Sequence, residues 1–152
     1  MGVTFTPPTV AFSVYRRGEH KKDTLKNIES TRDFVINIVD ETVSNAMNMA
    51  SGSYPPDMSE FDVSALSSVP SEFVSAPRIA ESPVHLECKL KAILELGDLP
   101  AAIVVGEIVC FHIHEEFYKD GLIDVRKLKP LGRAGDNLYL RFTDLFEMNR
   151  PA

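Results

Sequence analysis

The sequence has no tryptophan and only two cysteines, Cys88 and Cys110. Two thiols cannot build a disulfide framework or a four-cysteine metal site, and each stands inside an apolar, strand-like run. They read as buried thiols of a reducing compartment, with the cytoplasm as the default location. No apolar run approaches the length of a membrane span, and no basic segment followed by an apolar one opens the chain as a secretory signal would. Positive charge is also scarce: 16 Lys and Arg stand against 22 Asp and Glu, a formal net charge of -6. That balance argues against a nucleic-acid partner held by bulk electrostatics. There is no Gly-x-Gly-x-x-Gly and no Walker loop, which removes the common dinucleotide and P-loop sites. Ser13 and His85 lack any nucleophile-elbow context, and Glu81 and Glu87 would be paired acids only by accident of folding.

What remains is a chain of 152 residues with 44% hydrophobic content, enough for one domain with its own core. No linker or internal repeat divides it, so residues 1–152 read as a single domain. Its organising stretch is Lys21–Glu41, KKDTLKNIESTRDFVINIVDE. Asp23 or Thr24 is a candidate cap for a short helix that turns Leu25 and Ile28 inward, the i, i+3 spacing of one buried face. The start of a helix carries unpaired N–H groups and the positive end of its dipole. With Lys21 and Lys22 just ahead, it is either a seat for an anion such as phosphate or an ordinary capped surface helix. An apolar strand follows, interrupted by Asn37, which either ties backbone together or meets a ligand.

Ahead of that stretch, Met1–Thr6 carries no periodic signal, Thr9–Val14 reads as a short strand, and Tyr15–His20 as a turn. Behind it, Asp40 is a candidate N-cap for a helix running to Ala50, and a second short helix is expected near Ser59. Ser67–Pro83, rich in Ser and Pro, is expected to wrap the surface as a loop with short extended pieces. Val84–Leu96 alternates Leu86, Cys88 and Leu90 against Glu87, Lys89 and Lys91, the mark of a half-exposed strand. A turn beginning at Gly97-Asp98 joins it to a second long strand, Ala101–His114, where Gly106 implies a bulge or a close backbone approach. Asp120-Gly121 reads as a turn, Gly132–Gly135 as a basic loop, and Leu138–Phe142 as a last strand. Long hairpins with few helices point to a mainly β fold, a barrel or a strongly curved sheet.

One metal reading arises. His112 and His114 stand two apart on a strand, so both rings leave one face, with Glu115 or Glu116 as an oxygen ligand. No third His or Cys sits at a usual ligand spacing, so exposed or interface histidines are the better reading and no metal is assigned.

Taken in order, PPTVAFSV, KKDTLKNIESTRDFVIN, PRIAESPVHLECKL, VVGEIVCFHI and PLGRAGDNLY with a closing NRP resemble the flavin reductase-like family of FMN-binding split barrels, the group that contains flavoredoxin. The resemblance implies an antiparallel six-stranded split β-barrel with a few short peripheral helices. It further implies a homodimer that holds FMN at the subunit interface, and NAD(P)H as electron donor. By the same resemblance the phosphate falls to Ser13, Lys22, Asp23 and Thr24, with Asn27 nearby. Asn37, Arg133 and Tyr139 are further candidates, the last two reaching across from the other subunit. The flavin would carry the hydride chemistry, so no side chain is assigned a catalytic role. Members of the family carry a further hairpin ahead of the PP strand, with an N-x-A-P-Y/F-S segment along the flavin ring. Only MGVTFT stands there in this chain, so either further residues precede it in the full protein or one wall of the pocket is lost. Two functions follow. One is a flavin-dependent oxidoreductase that takes electrons from NAD(P)H and passes them on, with a protein acceptor as one recipient. The other is a dimeric binding protein on the same barrel with an incomplete flavin site.

Overall fold

The computed structural model describes residues 2–15, 20–55, 57–97 and 101–151. The expected turns at residues 16–19 and 98–100 lie outside the described residues. Five antiparallel strands make one sheet in the order β1-β2-β7-β6-β3, from β1 (Gly2–Phe5), β2 (Pro8–Tyr15), β3 (Asp33–Asn37), β6 (Val84–Leu96) and β7 (Ala101–Ile113). The long hairpin β6–β7 is its centre, as the two alternating runs imply. Three small two-stranded sheets surround it: β4 (Ser68–Val69) with β5 (Arg78–Ile79), β8 (Tyr118–Lys119) with β9 (Leu122–Ile123), and β10 (Leu131–Gly135) with β11 (Leu138–Arg141). The helices are short: α1 (Asp23–Thr31), α2 (Ser44–Ala50), α3 (Glu60–Ser64), α4 (Val125–Leu128) and a 3-10 turn at Glu115–Phe117. The class is mainly β and antiparallel, as expected.

The core follows from period-2 patterning. Val10, Phe12 and Val14 of β2 stand opposite Gly106, Val104 and Ala102 of β7, and this shared face meets Phe34, Cys88 and Leu90. Helix α1 seals it with Leu25 and Ile28, both buried, the pair picked out by spacing. Phe12 and Phe34 meet edge to face with ring centroids 5.3 Å apart. A second cluster of Val84, Phe117 and Leu128 lies under the segment that follows β7.

Several local expectations are revised. Met1–Thr6 is not featureless, because Gly2–Phe5 pairs with β2, leaving Val3 and Phe5 exposed. Helix α1 is not capped by Asp23 or Thr24: its N-cap is Lys22, and Asp23 is already helical. Helix α2 starts at Ser44, not after Asp40, whose carboxylate instead accepts the N–H groups of Thr42 and Val43 in a turn ahead of the helix. Gly132–Gly135 is not a loop, because it pairs with β11.

The largest revision concerns β6. Alternation placed Glu87 on a solvent face, yet Val84, His85, Glu87 and Cys88 are all buried, and Glu87 has 0% exposure. The strand is covered on both faces in its first half. Residues 67–83 form a strap over it, and this strap is built with backbone groups that must find partners once buried.

Candidate functional site

The strap is held by polar side chains reaching up from the sheet. Glu87 accepts the N–H of Glu72 at 2.9 Å and that of Phe73 at 2.7 Å. Asp33 accepts the N–H of Ser75 at 2.7 Å and its hydroxyl. Asn37 Oδ1 accepts the N–H of Ile79 at 3.0 Å, while His85 Nε2 meets the Ile79 carbonyl at 2.7 Å. Since a carbonyl only accepts, His85 carries its proton on Nε2 there, and its buried Nδ1 is left without a partner. Arg78 donates to the Pro70 carbonyl, closing the strap on itself.

Beneath the strap lies a polar cluster. Glu87 and Cys110 are opposite each other across β6–β7, as are His85 and His112. The pairing then slips: Cys88 faces Ile108, so Val109 has no opposite number. This bulge decides the site. Residues 102, 104, 106 and 108 face the core, and an unbroken strand would send 110 and 112 there as well. The extra residue instead turns Cys110 and His112 to the strap side, beside Glu87 and His85. His112 Nε2 lies 2.6 Å from Glu87 Oε1, and Cys110 Sγ lies 3.4 Å from the same nitrogen. A cavity of about 500 Å³ adjoins the cluster, lined by Arg78, His85, Phe111, His112 and His114 among others.

His112 is therefore not an exposed histidine: 16% of its side chain is accessible, and its carboxylate partner is Glu87, not Glu115 or Glu116. Those two glutamates stand exposed on the 3-10 turn, with Glu116 near Lys127 at 3.7 Å. His114 does remain exposed. Glu81 and Glu87 are not a pair of acids; Glu81 instead accepts the N–H of Ser67 at 3.0 Å.

The electrostatics follow from these contacts. Burial works against the charge on Glu87, but the N–H groups of Glu72 and Phe73 and the His112 ring outweigh it, so its pKa lies below the ordinary 4.5. Burial lowers the pKa of His85 below 6.5; its bond to Ile79 opposes this, and Arg78, His112 and His114 add to the lowering. Burial and then Glu87 push the Cys88 thiol up to about 12. Burial, Glu87 and Glu72 also raise the Cys110 thiol, against Arg78.

The two depressed values set a pH dependence. Between its folded and unfolded pKa each group binds more protons when unfolded, so stability falls as pH falls. The His85 contribution begins to be lost below the ordinary 6.5, and that of Glu87 below 4.5. Hydrogen exchange at Ile79, whose carbonyl His85 holds, is expected to accelerate relative to the β2–β7 ladder once pH falls below 6.5, and exchange at Glu72 and Phe73, held by Glu87, only below 4.5. Uniform protection through both ranges would mean that the strap does not depend on these groups.

The residues assigned to a flavin lie elsewhere. Ser13 is exposed on β2, opposite Ile103. Lys22, Asp23, Thr24 and Asn27 are all exposed at the start of α1, whose first turn receives no side-chain cap. Lys21 is taken by Glu29 at 2.5 Å, and Asp23 pairs with Lys26 at 2.8 Å. Lys22 has no ion pair among the described residues. Asn37 serves the strap through its oxygen. Arg133 and Tyr139 are cross-strand partners on β10–β11, both exposed, and Arg133 donates to the Asp136 carbonyl. Tyr139 lines a polar cavity of about 560 Å³ with Glu41, Asn45, Asn48, Asn137 and Arg141. The α1 group and the β10–β11 pair thus line no common cavity among those described.

The sequence profile of the flavin reductase like domain matches residues 1–131. A protein of Halalkalibacterium halodurans is 36% identical over 98% of this chain and 74% of its own length. Nitrilotriacetate monooxygenase component B of Bacillus cereus is 32% identical and superposes with a TM-score of 0.93 over 97% of this chain and 75% of its own. For the 2-nitrobenzoate 2-nitroreductase of Pseudomonas fluorescens the identity is 31% and the TM-score 0.88, over 99% of this chain and 73% of that one.

Proposed function

Because the chain belongs to the flavin reductase like domain family, whose split-barrel fold it shares, we propose that it binds FMN and passes electrons from NAD(P)H through the flavin to an acceptor. The observation that carries this reading is the close superposition on nitrilotriacetate monooxygenase component B, maintained at 32% identity over nearly the whole chain. The start of α1 suits the phosphate. Its first-turn N–H groups are uncapped, the Thr24 hydroxyl is exposed, and Lys22 supplies a positive charge with no competing partner among the described residues. Asp23 is held by Lys26, which offsets the carboxylate's repulsion of an anion. Ser13 and Asn27 complete the group as hydrogen-bonding neighbours. The ring would be supported by a second subunit that brings Arg133 and Tyr139, since among the described residues these line no common cavity with α1.

When bound, the flavin supplies the hydride acceptor. The chain's own residues hold the phosphate, orient the ring and exclude water. Asn37 acts here by fixing the strap. Converting both Lys22 and Thr24 to alanine is expected to weaken FMN binding at least tenfold, because charge-assisted contacts contribute about 1.5–3 kcal/mol each. Flavin fluorescence quenching measures it, and unchanged affinity removes this helix start from the site. The first test is simpler: an absorbance spectrum after adding FMN and removing the excess. A retained flavin band that bleaches with NADH or NADPH supports the reading, while colourless, folded dimer favours a binding protein on the same barrel.

A further inference from the structure

We propose that Glu87, Cys110 and His112 form a three-ligand site for a divalent transition metal of the zinc class, with water in the fourth position. One ligand atom from each residue lies within 4.8 Å of the other two. The arrangement is produced by the Val109 bulge, which places a C-x-H pair from β7 opposite a carboxylate from β6. His114 takes no part: the two ligands that join His112 are Glu87, from the neighbouring strand, and Cys110, two places before it.

The donor set is selective. A thiolate and an imidazole exclude calcium and magnesium, whereas zinc and cobalt(II) accept mixed oxygen, nitrogen and sulfur donors at about 2.0–2.3 Å in a tetrahedron. Charge is matched as well: one carboxylate and one thiolate neutralise a dication, which matters where Glu87 has no exposure and His112 little. The surroundings hold the ligands in place. Glu87 is fixed by the N–H groups of Glu72 and Phe73, as carboxylate ligands commonly are. Glu72 Oε1 lies 3.9 Å from His112 Nδ1, on the side of the ring away from the metal position. Arg78 Nε, 3.9 Å from Glu87 Oε1, is a cation that opposes binding.

The proton balance is simple. Cys110 loses its thiol proton to solvent as the sulfur–metal bond forms. His112 binds the metal through Nε2 and keeps its remaining proton on Nδ1, which faces Glu72 Oε1 at 3.9 Å. The thiol proton is released for each ion bound. None of this depends on flavin, so the site and the flavin reading fail separately.

The test is a cobalt(II) titration of the reduced, metal-stripped chain, with zinc affinity measured by calorimetry in two buffers of different ionisation enthalpy. The expected result is one equivalent of cobalt with a thiolate charge-transfer band in the near ultraviolet, and at least one proton released per zinc. Cys110→Ser is expected to lose the band and weaken zinc at least about 100-fold. It lies outside the proposed phosphate group, so folding and FMN binding should be unchanged. His114→Ala should leave both metals bound. No band, a band that survives Cys110→Ser, or zinc binding lost in His114→Ala would each overturn the site.

Discussion

Glu87→Ala is expected to destabilise the protein by about 3–5 kcal/mol, the range for removing one partner of a buried charged network. That is a large share of the roughly 5–15 kcal/mol that holds a domain together. The carboxylate is fully buried and serves three donors: the N–H groups of Glu72 and Phe73 and the ring of His112. Alanine leaves all three without an acceptor under the strap, and the cavity it creates is polar enough to let water in only at the expense of strap packing. Glu87→Gln keeps the shape but turns an NH2 group toward a donor, so about 1–3 kcal/mol is expected for it. Urea unfolding gives both values. Amide exchange locates the damage, which should concentrate at Glu72 and Phe73 before reaching the β2–β7 ladder. A cost below about 1 kcal/mol for alanine would mean that the strap is held by Asp33, Asn37 and Arg78 without this residue.

The same residue marks where sequence reading succeeds and where it stops. Alternation along Val84–Leu96 correctly grouped Leu86, Cys88 and Leu90 on one side and Glu87 with Lys89 on the other. It could not say what covers the second side. Period-2 patterning reports which residues share a face, and a face covered by a strap of Ser and Pro keeps polar anchors that look like solvent contacts. The path of the strap over the strand depends on long-range hydrogen bonds from Asp33, Asn37 and Glu87, separated from their partners by 14 to 43 residues. No local pattern records them. The placing of Cys110 and His112 beside Glu87 was hidden for a second reason. The Val109 bulge flips the side of the sheet they occupy, and a bulge at an ordinary valine carries no compositional mark. By contrast the core side of α1 was legible, because Leu25 and Ile28 stand in a helix otherwise polar. The flavin group was visible only through the combined motifs, since its members are exposed and no packing constraint selects them.

The separation between strap side and core side also organises the chemistry. Helix α1 presents Leu25 and Ile28 to the core and its uncapped first turn to the outside, so the proposed phosphate seat is anchored by packing and not by loop structure. The Glu87 cluster sits on the other side of β6–β7, beneath residues 67–83. Substitutions beneath the strap should therefore leave the α1 seat intact, and the two sites can be tested one at a time.

The second large effect lies on the core side. Phe34→Ala is expected to cost about 3–5 kcal/mol, the usual range for emptying a buried phenyl pocket. Its ring packs against Phe12 and fills the space over Gly106, where an added Cβ would lie 2.4 Å from Phe34 Cζ and 2.7 Å from Cε1. Gly106→Ala alone is accordingly expected to cost about 1–3 kcal/mol through overpacking. In the Phe34→Ala background the same change meets open space and should cost little or become favourable, giving a coupling of about 1–3 kcal/mol in a double-mutant cycle. Cys88 Cβ, at 3.3 Å from the added carbon, remains in both backgrounds and sets the residue of cost that the cycle does not remove. The cycle separates two reasons for a glycine here. Gly106 also adjoins a slip in the β6–β7 pairing, where Leu90 faces Gly106 but Ala92 faces Val105. An equal cost in both backgrounds would assign the glycine to that irregular backbone. A cost that disappears with the ring assigns it to the close approach of Phe34, by which β3 is locked to the centre of the sheet.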